Sequence, residues 1–189
     1  MSSHHIVREK QEPALLVLGL DNFTDDELGQ LLEWSPTLIA SLPVAEQLAI
    51  YGIKIDYVIS SGGSAALQSD VKVIDPAGKS PLQAALAFLT SNGYPAVNIV
   101  TNDFELPVYE TYATQINLVI FNNRKKIYAV TPGYRKWKPA GEVITLLSHT
   151  PSVKTQGLAP TNELNYRTQT DGFFSIDFSA PFIFIGEEL

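Results

Sequence analysis

Short apolar runs alternate with amphipathic stretches from Pro13 to about Asn117. The run Ala14-Leu-Leu-Val-Leu-Gly19 is apolar throughout and closed by glycine, which predicts a strand buried on both faces. Thr24 then offers an N-cap hydroxyl, and Glu27 stands three residues on as its capping-box partner. A helix is predicted from there to about Trp34, with Leu28, Leu31 and Leu32 on one face. Thr37 to Ala40 reads as a second strand. A helix follows from Pro43, where proline suits the first turn, and ends at Gly52. Asp56 to Ser60 and Val71 to Ile74 are further strands. Ser80-Pro81 opens an Ala/Leu-rich helix (Leu82, Ala85, Leu86, Leu89) that stops near Gly93. Ala96 to Val100 is one more strand, and a helix is expected around Val108 to Gln115. Strands alternating with helices across short loops predict a mostly parallel sheet covered on both faces.

Beyond Asn117 the helical period is lost. Leu118 to Phe121 and Lys126 to Val130 flank a turn at Asn122-Asn123-Arg124. Glu142 to Leu147, Ser152 to Thr155, Asn165 to Thr168, Gly172 to Ile176 and Phe182 to Ile185 are short and rich in β-branched and aromatic residues. Gly, Pro and Asn punctuate them. The predicted fold is therefore α/β: an N-terminal, mostly parallel α/β sheet domain over residues 13–117, then a C-terminal all-β sandwich over 118–189.

Composition narrows the functional classes. With 45% hydrophobic and 17% charged residues, the 189-residue chain is too apolar for disorder and ample for a packed core. Twenty acids against thirteen Lys and Arg leave a net charge of -7. A field of that sign repels phosphate backbones and anionic lipid surfaces, so neither nucleic acid nor membrane is an expected partner. The absence of cysteine excludes disulfides, thiolate zinc sites and cysteine nucleophiles. The longest apolar runs fall far short of a bilayer span, and Met1 to Glu12 lacks the hydrophobic segment of a signal peptide. A cytoplasmic protein is expected.

Four groups of residues carry candidate chemistry. His4, His5 and His149 have no partner spacing for a zinc site or a triad, so structural or solvent-exposed roles are expected. Ser60-Ser61-Gly62-Gly63-Ser64 follows a strand, and a glycine-rich turn there can bring backbone N–H groups to a phosphate. An ordinary loop of the same composition is the plain alternative, and no P-loop lysine follows. Arg124, Lys125, Lys126, Arg135, Lys136 and Lys138, interleaved with Tyr128, Tyr134 and Trp137, form the basic region. They suit an anionic ligand or a stacked base, or else a hairpin turn and a solvated loop with edge-protecting lysines. Asp21, Asp75 and Asp103 each come just after a predicted strand. If the strands are parallel, all three rise at the sheet edge where open α/β folds bind ligands, and could there hold Mg²⁺ and a polyphosphate. Aspartate is also a common turn former and helix cap in such places.

The order of elements and several phrases resemble thiamine pyrophosphokinase, a family that pairs an α/β domain with a β-sandwich. Gly52-Ile-Lys-Ile-Asp-Tyr-Val-Ile59 is similar to the family's Gly-Ile-Lys-Pro-Asp-Tyr-Ile-Ile strand. Val71-Lys-Val-Ile74 and Leu82-Gln-Ala-Ala-Leu86 match its next strand and helix. Gly141-Glu-Val-Ile-Thr-Leu-Leu147 and Val153-Lys-Thr-Gln-Gly-Leu158 resemble phrases of its β half. The resemblance runs in order over about residues 14–189 and implies a homodimer with a cleft near the subunit interface. The β half supplies one wall, for which Tyr134, Trp137 and Ser175 are the candidates.

The family's acidic motifs are replaced. Leu42-Pro43-Val44-Ala45 stands in place of Asp-Gly-Gly-Ala, and Ser60-Ser61-Gly62-Gly63-Ser64 in place of Gly-Asp-Phe-Asp-Ser. Gly78-Lys79-Ser80-Pro81-Leu82 replaces Asp-x-Thr-Asp-Leu. The Gly-Gly-Arg-x-Asp-His loop falls near Asn102-Asp103-Phe104-Glu105-Leu106-Pro107, without arginine or histidine. Of the family's thiamine-contacting Ser-Asn pair, Ser175 is followed by Ile176. Diphosphoryl transfer from ATP needs Mg²⁺ to bridge phosphate oxygens, and neutral hydroxyls supply little of the field that paired carboxylates give. The expectation is a protein similar to thiamine pyrophosphokinase that has lost that reaction and binds a small, thiamine-like ligand in the interdomain cleft. The rival reading is an active kinase using ATP and Mg²⁺ at a metal site rebuilt from Asp21, Asp75 and Asp103.

Overall fold

The computed structural model describes residues 12–62, 70–148 and 152–189. The first half lays down strands β1 (Ala14–Val17), β2 (Leu38–Ser41), β3 (Tyr57–Ile59), β4 (Lys72–Ile74), β5 (Ala96–Val100) and β6 (Asn117–Asn122). Helices α1 (Asp25–Leu32), α2 (Leu42–Ile50), α3 (Pro81–Ser91) and α4 (Leu106–Tyr112) lie among them. These strands pair in parallel in the order β4-β3-β2-β1-β5-β6. The chain builds outward from β1 to β4, then crosses back to the other side of β1, so strand order reverses between β1 and β5.

Local chemistry starts the helices where the sequence predicts. Thr24 Oγ1 accepts from the Glu27 N–H at 3.2 Å, and the Glu27 carboxylate accepts from the Thr24 N–H at 2.8 Å. The Thr24 backbone and hydroxyl together hold the Glu27 carboxyl below its ordinary pKa. Ser80 and Gln83 repeat the arrangement at α3, with Pro81 in the first turn. Gly93, at φ +70°, follows as the left-handed residue that ends that helix. The fourth helix lies two to three residues earlier than predicted, because Pro107 fits its first turn. Alternate residues of β1 enter two cores. Leu16 packs with Leu86, Leu89, Ile99 and Tyr109 on the α3–α4 face. Leu15 and Val17 pack with Leu28, Val44 and Leu48 on the α1–α2 face.

The second half adds β7 (Lys125–Val130), β8 (Tyr134–Lys138), β9 (Val143–Leu146), β10 (Lys154–Gln156), β11 (Leu158–Pro160), β12 (Asn165–Thr168), β13 (Gly172–Asp177) and β14 (Ile183–Glu188). It packs in two layers, as a sandwich does, but one layer is the continuation of the parallel sheet. A two-residue turn, with Asn123 and Arg124 at φ 46° and 58°, joins β6 to β7 as an antiparallel pair. From there the sheet runs on through β14, β9 and β12 to β11, eleven strands in all. The other layer is the three-stranded sheet β10-β13-β8. Val130, Ile144, Phe174, Ile176 and Ile185 fill the space between the layers. Tyr128, which faces this space, stands opposite Val119 of the α1–α2 core, so the small sheet covers the same face as those helices.

Two elements correct the sequence pattern. The segment Tyr134–Lys138, for which a solvated loop is one expectation, is the edge strand β8, and Lys136 and Lys138 point inward. They reach Glu187, which is only 4% exposed, at 2.7 and 3.0 Å. The strand β11 is short and ends on Pro160, so the pattern does not mark it.

Candidate functional site

Parallel strands deliver their carboxyl ends to one edge, and a reversal of strand order opens a crevice there. At this reversal lies a cleft of about 130 Å³, lined by Leu18, Ser41, Ser80, Pro81, Leu82, Thr101, Asp103 and Glu105. Leu18 follows β1, Ser41 ends β2, Thr101 and Asp103 follow β5, and Ser80 caps α3. The hydroxyls of Ser80 and Thr101 are engaged locally: Ser80 Oγ accepts from the Gln83 N–H, and Thr101 Oγ1 donates to the Asp103 carbonyl at 3.0 Å. Ser41, the N-cap of α2, caps with its backbone alone, which leaves its hydroxyl at the cleft. Among the described residues no Lys or Arg lines the cleft, and Asp103 and Glu105 make its rim negative.

An asparagine network braces this edge. The Asn102 amide lies directly over Gly19, where a Cβ would overlap it, and Asn102 Oδ1 accepts from the Asp21 N–H at 3.1 Å. Asn122 Nδ2 donates to the carbonyls of Thr101 and Asn102, both at 3.0 Å, and Asn22 Nδ2 donates to Asn123 Oδ1 at 3.2 Å. The sequence pattern carries no signal for this network, because its four asparagines come from three separate segments of the chain.

The three aspartates do stand at the carboxyl edge, but they do not converge. Asp75 follows β4, which lies three strand spacings from β1 and four from β5, about 14 Å and about 19 Å across the sheet. Its carboxylate accepts from the Ala77 N–H at 2.9 Å, the turn-forming role. Asp21 lines a different cleft, with Phe23, Gln47 and Tyr51, from the one Asp103 lines. Among the described residues no three His, Asp or Glu side chains group as a metal site would need. The donors at this edge therefore do not fit a Mg²⁺–polyphosphate centre.

Ser61 and Gly62 are exposed after β3, and the Gly62 N–H donates to Ser60 Oγ at 3.1 Å, so that N–H is already used within the turn. Gly63, Ser64 and the three histidines lie outside the described residues. Trp137 and Ser175 share the outer face of the small sheet. Trp137 stands opposite Phe173, the two being 54% and 59% exposed, and Ser175 stands opposite Arg135, whose guanidinium lies over the Phe173 ring at 4.4 Å. Tyr134 faces the other way. Its hydroxyl meets that of Tyr128 at 2.9 Å, and its ring packs on Phe174. The three wall candidates thus divide between two faces.

Sheet order, reversal cleft and antiparallel extension together define a doubly wound α/β fold prolonged by a β layer. Solved thiamine pyrophosphokinases are similar in fold. The enzyme from Geobacillus thermodenitrificans superposes with a TM-score of 0.69 at 11% identity, over 94% of this chain and 98% of that one. That from Bacillus subtilis gives 0.67 at 12% identity, over 94% and 99%. The yeast enzyme gives 0.61 at 12%, over 96% and 87%. The chain therefore has the thiamine pyrophosphokinase fold. No family model and no curated protein matches its sequence. No described helix is long and apolar enough to cross a membrane.

Proposed function

We propose that this protein is a divergent relative of the thiamine pyrophosphokinases that has lost diphosphoryl transfer and binds a small polar ligand at the strand-reversal cleft. The supporting observation is the distribution of carboxylates along that edge. Phosphoryl transfer from ATP runs on clustered metal ligands that neutralise phosphate charge. Here Asp75 stands strands away from Asp21 and Asp103, those two line different clefts, and Ser41 and Ser60 stand at or just after the strand ends between them, with Ser80 capping α3. A cleft with hydroxyls inside and two carboxylates at its rim favours a neutral or cationic ligand over a polyphosphate. Thiamine, with its permanent positive charge, is of that kind. A cytoplasmic homodimer completes the proposal, and sedimentation of the purified chain tests the dimer.

Calorimetry and thermal shift with thiamine, with ATP, and with ATP plus Mg²⁺ test the reading, followed by an assay for thiamine diphosphate. A ligand at about 100 times its Kd adds about 2.7 kcal/mol of stability, which a melt resolves. Stabilisation by thiamine with no response to Mg²⁺–ATP is the expected result. Formation of thiamine diphosphate, abolished by Asp103→Asn, would overturn the loss of the reaction.

A further inference from the structure

The lysine-rich strands β7 and β8 belong to different sheets and meet across a cleft of about 370 Å³ on the α1–α2 face. Val119 gives it an apolar floor, and Lys126, Tyr134 and Lys136 stand around it, while the bordering Leu118 and Ala129 belong to the α3–α4 core behind the sheet. Its polar groups are unequally committed. Tyr128 donates its hydroxyl proton to Glu187, so its oxygen accepts from Lys136 Nζ at 3.3 Å and from the Tyr134 hydroxyl at 2.9 Å. Both phenolic protons are therefore spent inward. Lys136 also donates to both oxygens of Glu187, at 2.7 and 2.8 Å. Lys138 divides between Glu187 and Glu142, at 3.0 and 3.3 Å.

Lys126 is the exception. It stands in register opposite Glu187, yet among the described residues it makes no ion pair. Three ammonium groups (Lys126, Lys136, Lys138) face two carboxylates (Glu187, Glu142), which leaves one positive charge in excess. This occurs at the mouth of a cleft in a chain whose net charge is -7. A single uncommitted ammonium beside apolar and aromatic walls matches one negative charge carried on a flat organic body. A compact dianion would need several converging donors, and these are already used.

We propose that the β7–β8 cleft is a binding site for a small, flat organic monoanion of the aromatic carboxylate type. Its carboxylate pairs with Lys126, and its ring lies on the Val119 floor beside Tyr134. The site lies on another part of the sheet from the strand-reversal cleft and stands or falls independently of the function proposed for that cleft.

Nuclear magnetic resonance of the isotope-labelled full chain tests it, with benzoate, its neutral analogue benzamide and inorganic phosphate as probes. Saturable shifts with benzoate at Val119, Lys126, Tyr128 and Tyr134 are expected. Benzamide and phosphate should bind about tenfold more weakly or worse, since a charge-assisted hydrogen bond is worth that factor. Lys126→Gln should weaken benzoate by about the same factor, and Lys126→Arg, which keeps the charge, should retain it. The proposal is overturned if benzoate gives no saturable shift at these residues, or if benzamide or phosphate matches it. It is overturned equally if Lys126→Gln binds as well as the wild type, or if Lys126→Arg, folded by its spectrum, loses binding.

Discussion

Glu187 offers the sharpest test of how the two layers are held together. Its carboxylate is almost completely buried and accepts from Lys136, Lys138 and Tyr128. Burial pushes its pKa up, but the hydrogen bonds from Lys136, Tyr128 and Lys138 outweigh burial and hold it below the ordinary value. Removing one member of a buried ion pair costs about 3–5 kcal/mol, because the partners remain charged without compensation. Lys136 is 36% exposed and can rehydrate, and Lys138 keeps Glu142, so Glu187→Ala should cost less, about 2–3 kcal/mol. For a chain of this size that lowers the melting temperature by about 4–12 °C. Urea unfolding at neutral pH measures the loss as a fall in midpoint at unchanged slope. The pH dependence supplies an independent sign. A carboxyl whose pKa is depressed by folding stabilises the protein above its unfolded value, about 4.3, and loses that contribution as pH falls through the folded value. Wild type should therefore lose more stability on acidification than Glu187→Gln does. A Glu187→Ala midpoint equal to wild type, or identical acid limbs for wild type and Glu187→Gln, would refute the reasoning.

Three further outcomes are expected. The Tyr109 hydroxyl is buried in the α3–α4 core with no hydrogen-bond partner among the described residues, and burial, with the nearby carboxylates of Glu105 and Asp103, raises its pKa. Tyr109→Phe should raise stability by about 1 kcal/mol, and a lower urea midpoint would show that the phenol has a partner after all. Gly19→Ala drives a methyl group into the Asn102 amide and should cost about 1–2 kcal/mol; in a double-mutant cycle with Asn102→Ala most of that cost should disappear, whereas simple additivity would count against the contact. Thr24→Ala removes the capping box of α1 and should cost about 1 kcal/mol in a thermal melt, with Thr24→Ser restoring most of it.

Much of the fold is legible in the sequence where local chemistry decides it. The apolar run at Ala14, the capping box at Thr24 and the Ser80-Pro81 start mark β1, α1 and α3 to within a residue or two, since each signal is complete inside one short segment. Strand order is not local. Nothing near Asp75 reveals that β4 ends up at the sheet edge, so three aspartates placed alike after their strands give no sign that Asp75 stands away from the other two. Tyr134–Lys138 fails as a pattern for a related reason. Its alternation puts two lysines inward, which looks like solvent-facing polarity until Glu187, about fifty residues further along the chain, supplies their partner. The phrases that resemble the family lie in or beside strands and helices, where folding constrains sequence, and the replaced acidic motifs lie at strand ends and helix starts.

The strand β6 has a mechanical consequence. It is hydrogen-bonded to β5 on one side and to β7 on the other, so the parallel and antiparallel regions share a seam instead of a linker. Enzymes built of two lobes commonly close over a substrate by bending at the connection between them. A seam of this kind resists bending, so the ligand capture proposed at the strand-reversal edge would fall to loops and side chains. It also makes the chain a single cooperative unit. A cut between Asn117 and Asn122 should melt both regions at once, and neither half should persist as a folded fragment.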